Sequence, residues 1–368
     1  MTEFEQRVAA VRDKFEAAGI DGILITHPTN RRYLTGFTAD DTPPNESSGH
    51  LIIGKDRCVL VTGSVNVTQA EAQAPHVEVV NREPSWGACD ARFIQELGIK
   101  RVGYEADAML VSVFNGIQKA LDEEGYDCEW VEADGLVEEL RAVKSPSEIE
   151  LLRKAFEITV ETFERVAPTI RAGQTEAEIA WKIHQSFVEL GAEGPAFPTI
   201  VAAGTHAARP HHEPGEAVIE EGQSIIIDMG ARYQGYCADL TRTVWVGEPD
   251  ERLKEVYPVV SQAVEQVFER LGSGMTGKEL DAIARDYINR HGFGDAFTHS
   301  LGHGVGLRVH EGPSANKRSE DVLKPGNTLT IEPGAYFPEW GGVHVEDVVL
   351  VTEDGFEILT SGASKQKI

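Results

Sequence analysis

The sequence predicts an α/β domain over residues 1–135, followed by an α+β domain over residues 136–368 that contains an internal pseudo-twofold repeat. Three observations carry this. The chain has 368 residues, more than one ordinary core accommodates. Its first third alternates short apolar runs with helical patterns. Its second half contains two copies of one pattern, a capped helix and then a strand tipped by an acid.

In chain order, Glu3 to Ala18 carries Phe4, Val8, Val11 and Phe15 at helical spacing. Apolar runs at Gly22 to Ile25, Leu51 to Gly54, Cys58 to Val61, Val77 to Val80 and Arg101 to Tyr104 read as strands, with a helical pattern at Val113 to Glu124. No phosphate-binding glycine loop occurs among them. Ser145-Pro146-Ser147-Glu148 is a helix start. Ser145 can cap, Pro146 suits the first helical position, Glu148 completes a capping box, and the helix should run to about Thr169.

The repeat begins with Gly173-Gln174-Thr175-Glu176-Ala177-Glu178-Ile179, matched by Gly274-Met275-Thr276-Gly277-Lys278-Glu279-Leu280. Both are capping boxes, and both helices run to a glycine, Gly191 and Gly292. A second echo follows: Gly222 to Gly230 parallels Gly326 to Gly334, each a turn, a β-rich strand, an acid and a glycine. Asp228 and Glu332 therefore occupy equivalent strand ends and should face each other.

Composition excludes some functions. Lys plus Arg is 34 and Asp plus Glu is 60, a formal net charge of −26, which opposes nucleic-acid binding. The acids are scattered, which fits a solubilising surface or adaptation to high internal salt (a halophilic host). No stretch approaches the roughly 20 apolar residues that span a bilayer, and the N-terminus lacks the apolar core of a secretion signal. The expectation is a cytoplasmic protein that binds neither membrane nor nucleic acid. Cys58, Cys89, Cys128 and Cys237 form no C-x-x-C pair, so a disulfide framework or zinc–thiolate site is not expected.

The acids at the strand ends carry the chemistry. A second acid follows each one along its hairpin, Asp239 after Asp228 and Glu346 after Glu332. Four carboxylates gathered in one place cannot all ionise without a compensating cation, and two divalent ions would supply it. Between the halves lies His299-Ser300-Leu301-Gly302-His303-Gly304-Val305-Gly306-Leu307-Arg308-Val309-His310-Glu311, with three histidines among three glycines. The alternation of Val305, Leu307 and Val309 predicts a strand that carries His310 outward.

The stretch from His299 to Glu311 resembles the signature of the pita-bread metallopeptidases, in the branch of prolidase (Xaa-Pro dipeptidase) and aminopeptidase P. The segment from Asn30 to Phe37 and the linker from Leu140 to Pro146 are similar to that group as well, and all five metal-ligand positions are filled. The resemblance implies the pita-bread fold, a creatinase/prolidase-like N-terminal domain and a homodimer. It implies two divalent ions (manganese before cobalt, zinc or iron), held by Asp228, Asp239, His303, Glu332 and Glu346, with Asp239 and Glu346 bridging. It further implies a bridging hydroxide as nucleophile, Glu332 as general acid–base, and His211 and His310 as substrate contacts that stabilise the oxyanion. His299 should line the pocket, whereas His206, His212 and His291 read as ordinary loop residues.

The chain departs from the group at one position. Two residues before Glu346 the group usually has Arg, and here His344 stands there, which bears on how Asp228 or the substrate is held. The implied substrate is a small proline-containing peptide. The alternatives are an aminopeptidase P acting on longer peptides, a small-molecule hydrolase on the same scaffold, and a binding module that kept the fold.

Overall fold

The structure, a computed structural model, describes residues 1–364 apart from 42 and 44. The chain divides into two compact units, Met1–Arg141 and Ala142–Ile368.

In the first unit the apolar runs pair as strands β1 (Gly22–Ile25), β2 (Gly49–Ile53), β3 (Cys58–Thr62), β4 (Glu78–Asn81), β5 (Arg101–Tyr104) and β6 (Glu129–Glu132). They form one sheet in the order β4-β3-β2-β1-β5-β6. β2 runs antiparallel to β1 and β3, while β1–β5, β5–β6 and β3–β4 are parallel. Leu24, Ile52, Val59 and Val102 are fully buried, and the helices Trp86–Glu96 and Val111–Glu123 add Phe93, Ile94 and Ile117 to the same core. These helices meet at Gly87 and Gly116, where a side-chain carbon on Gly87 would overlap the Gly116 carbonyl.

The second unit opens with the helix Pro146–Val166, capped reciprocally: Ser145 Oγ accepts from Glu148 N (3.3 Å) and Glu148 Oε2 from Ser145 N (3.0 Å). The two repeat helices, Glu176–Glu189 and Gly277–Arg290, start with the same reciprocal box at Thr175 and Thr276. Each is followed by a glycine in the left-handed region, Gly191 (φ +89°) and Gly292 (φ +87°). The echo continues in the strands: Ile225–Met229 pairs antiparallel with Leu240–Val244, and Thr328–Ile331 with Asp347–Thr352. Isolated bridges tie each helix start to a returning segment, Thr175 to Val218 and Thr276 to Val322. Each half has its own core. Ile179, Ile183 and Phe187 pack on Ile225 and Ile227, while Leu280, Ala284 and Val260 pack on Leu329 and Val349.

One expectation fails. Residues 305–309 are not a strand; they loop between the paired strands Gly302–Gly304 and Glu311–Ala315. Gly306 N donates to Arg308 O (2.9 Å), which turns the chain too tightly for extended backbone. Glu311 fills the space a side chain on Gly306 would need. His310 is delivered by this loop and is exposed.

Candidate active site

Main-chain pairing between the halves assembles the site. Thr241, opposite Asp228 in the strand register, accepts through its carbonyl oxygen from Glu346 N (3.0 Å), and its hydroxyl donates to Glu346 Oε2 (2.9 Å). Thr243 Oγ1 donates to His344 O and accepts from His344 N, both at 2.8 Å. The strand of one half thus clamps the acid-bearing segment of the other beside Asp228 and Asp239. Thr330 does the same for the histidine motif: its Oγ1 accepts from His303 N (2.9 Å) and donates to Glu332 Oε1 (2.9 Å).

A cavity of about 530 Å³ opens over these groups, and its wall includes all nine side chains singled out from sequence. They are Asp228, Asp239, His303, Glu332, Glu346, His211, His299, His310 and His344. Oxygens of Asp228, Asp239 and Glu346 lie within 4.8 Å of one another. Asp228 Oδ1 and Glu346 Oε1 are buried and meet no hydrogen-bond donor among the described residues. Arg242, buried behind the cluster, does not neutralise it by contact. Its guanidinium donates to the main-chain carbonyl of Glu346 and to Asp347 Oδ1 (2.7 Å).

The electrostatics express the same crowding. Burial, then the charges of Glu346 and Asp228, push Asp239 well above the usual carboxylate range. Burial, with Glu332 and Asp228, does the same to Glu346. Asp228 is pushed up to about 6, chiefly by burial. Glu332 goes the other way: burial opposes its charge, but the facing His303 and His344 rings outweigh it and hold the carboxyl well below the usual range. His303 Nε2 lies 3.1 Å from Glu332 Oε1 and 3.9 Å from Asp239 Oδ2. Its Nδ1 donates to the Gly304 carbonyl at 3.1 Å, which turns Nε2 toward the carboxylates; burial works against the ring's charge, but the Glu332 carboxylate outweighs it and raises the pKa. Unpartnered buried oxygens, mutually repelling carboxylates and an oriented imidazole are a donor set that fits divalent cations, with no thiolate among the donors.

The remaining histidines line one side of the cavity. His299 Nδ1 donates to Ser300 O (2.8 Å), so its Nε2 accepts from the Tyr336 hydroxyl (3.0 Å), and burial holds the ring's pKa down at about 4. His344 Nε2 lies 3.4 Å from Glu332 Oε2 and 3.2 Å from Glu332 O, so the histidine in the usual arginine position faces Glu332. His310 packs edge-on to His303 with ring centroids 4.4 Å apart, and His211 is exposed on the cavity wall.

Two features escaped the sequence reading. Tyr336 is buried with its hydroxyl against His299; the aromatic after Gly334 in the second acid-tipped hairpin was the available signal. His212 lines the cavity, and with His206 it closes on the carboxylate of Glu176. No local pattern marks that cluster.

Comparison with known proteins agrees with this geometry. Residues 150–353 match the model of metallopeptidase family M24, and residues 7–143 that of the creatinase/prolidase N-terminal domain. The chain is 34% identical over 362 residues to a Xaa-Pro dipeptidase of Pyrococcus horikoshii, covering 98% of each chain. Among solved structures it resembles a Xaa-Pro dipeptidase from Bacillus anthracis (TM-score 0.92, 38% identity, 99% of this chain and 100% of that one). It also resembles an X-Pro aminopeptidase from Thermotoga maritima (TM-score 0.84, 35% identity, 97% and 100%). The expected pita-bread architecture behind a creatinase-type N-terminal domain is the architecture found.

Proposed function

The chain belongs to metallopeptidase family M24, and from that premise we propose that it hydrolyses the Xaa-Pro bond of dipeptides and short peptides with two divalent cations. The observation that carries the reading is the trio of mutually close carboxylates with unpartnered oxygens on the wall of a cavity shared with His303. Asp228, Asp239, His303, Glu332 and Glu346 would hold the cations. Oxygen-rich ligation with one imidazole suits hard to borderline divalent cations, Mn²⁺ proposed first, then cobalt, zinc or iron. When bound, such cations supply a water activated as nucleophile and polarise the scissile carbonyl.

The chain's own groups do the rest. Glu332, kept ionised by His303 and His344, takes up a proton at its carboxylate and returns it to the leaving nitrogen. His211 and His310 contact the substrate and donate toward the carbonyl oxygen as it gains charge. For His310, burial and the neighbouring His303 lower the pKa, so it acts as a neutral donor near pH 7. His299 is also held neutral; it and His344 shape the side of the pocket. A prolyl nitrogen carries no N–H, so recognition rests on the carbonyl and ring rather than on an amide donor. The Thermotoga match keeps an aminopeptidase acting on longer peptides as the second reading. The assembly proposed is a homodimer in the cytoplasm, checked by light scattering and fractionation.

The test is elemental analysis of protein purified without chelator, with proline release measured from Ala-Pro and Ala-Pro-Ala before and after metal is restored. Two metals per chain and chelator-sensitive release of proline are expected. Full activity without stoichiometric metal would end the reading, and a preference for Ala-Pro-Ala would select the aminopeptidase.

A further inference from the structure

Glu176 is the first residue of a repeat helix, and its side chain is fully buried. The capping box does not need it, because Thr175 and Glu178 form that box between themselves. Its carboxylate instead gathers four donors from one loop. Oε1 accepts from Ala203 N (2.9 Å) and from His206 Nδ1 (3.0 Å); Oε2 accepts from His212 Nε2 (2.8 Å) and from Gly215 N (3.2 Å). Burial works against the charge, and these donors outweigh it, so the carboxyl lies below its usual range. The two rings also pack together, centroids 4.3 Å apart. Between them run Arg209, Pro210 and His211, closed by Arg209 N donating to His206 O (2.9 Å) and His212 N to Arg209 O (3.1 Å).

The repeat shows that the fold itself does not require this acid. The equivalent of Glu176 is Gly277, where a side-chain carbon would overlap the Ser314 carbonyl. The returning segment docks on the helix start in both halves, Gly277 N donating to Asp321 O (2.9 Å) and Lys278 N to Ser319 O (3.0 Å) as Glu176 N does to Ala217 O (3.0 Å) and Ala177 N to Gly215 O (3.0 Å), so the backbone docking is made with or without the carboxylate. The loop over the buried carboxylate lines the cavity through Pro210, His211, His212 and Glu213. Two of the carboxylate's four acceptor positions are taken by the main-chain amides of Ala203 and Gly215, which tie the loop to it directly.

We propose that Glu176 is a positioning residue for His211: by holding His206, His212 and the amides of Ala203 and Gly215, it fixes the loop that presents His211 to the substrate. The inference rests on the reading of His211 as a substrate contact. Glu176→Gln is the direct test, because an amide turns a donor toward groups that are themselves donors. A loop shift of about 1 Å costs up to about 100-fold in rate. We expect kcat on a Xaa-Pro substrate to fall about 10- to 100-fold, with KM, bound metal and melting temperature little changed.

The decisive readout is the pair with His211→Ala. If Glu176 acts through His211, the double variant is no slower than His211→Ala alone. Losses that multiply overturn the proposal, as does unimpaired Glu176→Gln, or a metal equivalent lost with Glu176. Should Glu176→Gln fail to fold, His212→Gln and His212→Ala replace it. Near-normal kcat in the first, with a loss in the second that does not add to His211→Ala, is expected; equal losses, or additive ones, overturn it. Unchanged kcat in His211→Ala would defeat the substrate-contact reading and this inference with it. An impaired His211→Ala with multiplying losses would defeat the inference alone.

Discussion

Glu105 in the N-terminal unit and the acids of the C-terminal unit are both carboxylates taken out of water, yet different groups face them. Glu105 is surrounded by donors: Oε2 accepts from Thr26 N (2.6 Å) and His27 N (2.7 Å), and Oε1 from Asn30 Nδ2 (2.6 Å). Asp228 Oδ1 and Glu346 Oε1 face a cavity and each other's charge. A buried acid with its oxygens satisfied by N–H groups ties the chain together. Buried acids whose oxygens are left for one another create a deficit of positive charge that a cation fills. Burial alone does not separate the two cases; the partner list does.

The sharpest way to break this comparison is to neutralise one acid of each kind. Asp239→Asn should lower proline release more than about 100-fold and reduce the bound metal. In metal-stripped protein, however, it should leave the melting temperature unchanged or raise it by an amount worth about 1 kcal/mol, because it removes a charge that the folded state disfavours. Loss of stability in the stripped variant, seen by calorimetry, would place Asp239 with Glu105 instead.

Metal should act on the wild type in the opposite sense. Excess divalent ion at about 100 times its Kd should add about 2.7 kcal/mol to stability, and Asp239→Asn should lose most of that gain. Glu105→Gln should destabilise by about 1–3 kcal/mol whether or not metal is present, because an amide directs N–H toward donors, while activity per folded molecule stays unchanged. Urea unfolding with and without chelator reads both.

The smallest effect is a pH slope. Burial raises the Glu105 pKa to about 7 in the folded chain, against an ordinary value of 4.5. The folded state therefore holds a proton that the unfolded state has released between those values. Stability should fall as pH rises across that window, by on the order of 3 kcal/mol in total. Glu105→Gln should remove that part of the slope, and unfolding curves from pH 4 to 8 would show whether it does.

Local chemistry was legible. The capping boxes at Ser145, Thr175 and Thr276 are complete within four residues, so sequence fixes them before any tertiary contact forms. The strands of the N-terminal unit were legible from their apolar runs bounded by turn residues. The acid-tipped strands stood out because an acid at the end of an apolar run is costly unless something pairs with it. The loop at residues 305–310 was misread because alternation describes which side chains face which way, while here the backbone approach of Gly312 at Gly304 and the Glu311 carboxylate at Gly306 decide the path. Glu176 was invisible for a related reason: an acid at a helix start is ordinary, and only the fold of residues 203–215 over it turns it into an anchor.

The sequence by itself determined the element order, the internal repeat and which side chains could ligate a metal, because each depends on residues close in the chain or on the cost of burying a given group. The tertiary structure alone decided which oxygens were left without donors and which histidines face carboxylates. It also decided that Glu176 holds a loop, whereas its repeat partner Gly277 only lets backbone pass. Those outcomes depend on contacts between residues tens to a hundred positions apart, whose distances are set only when both halves have packed.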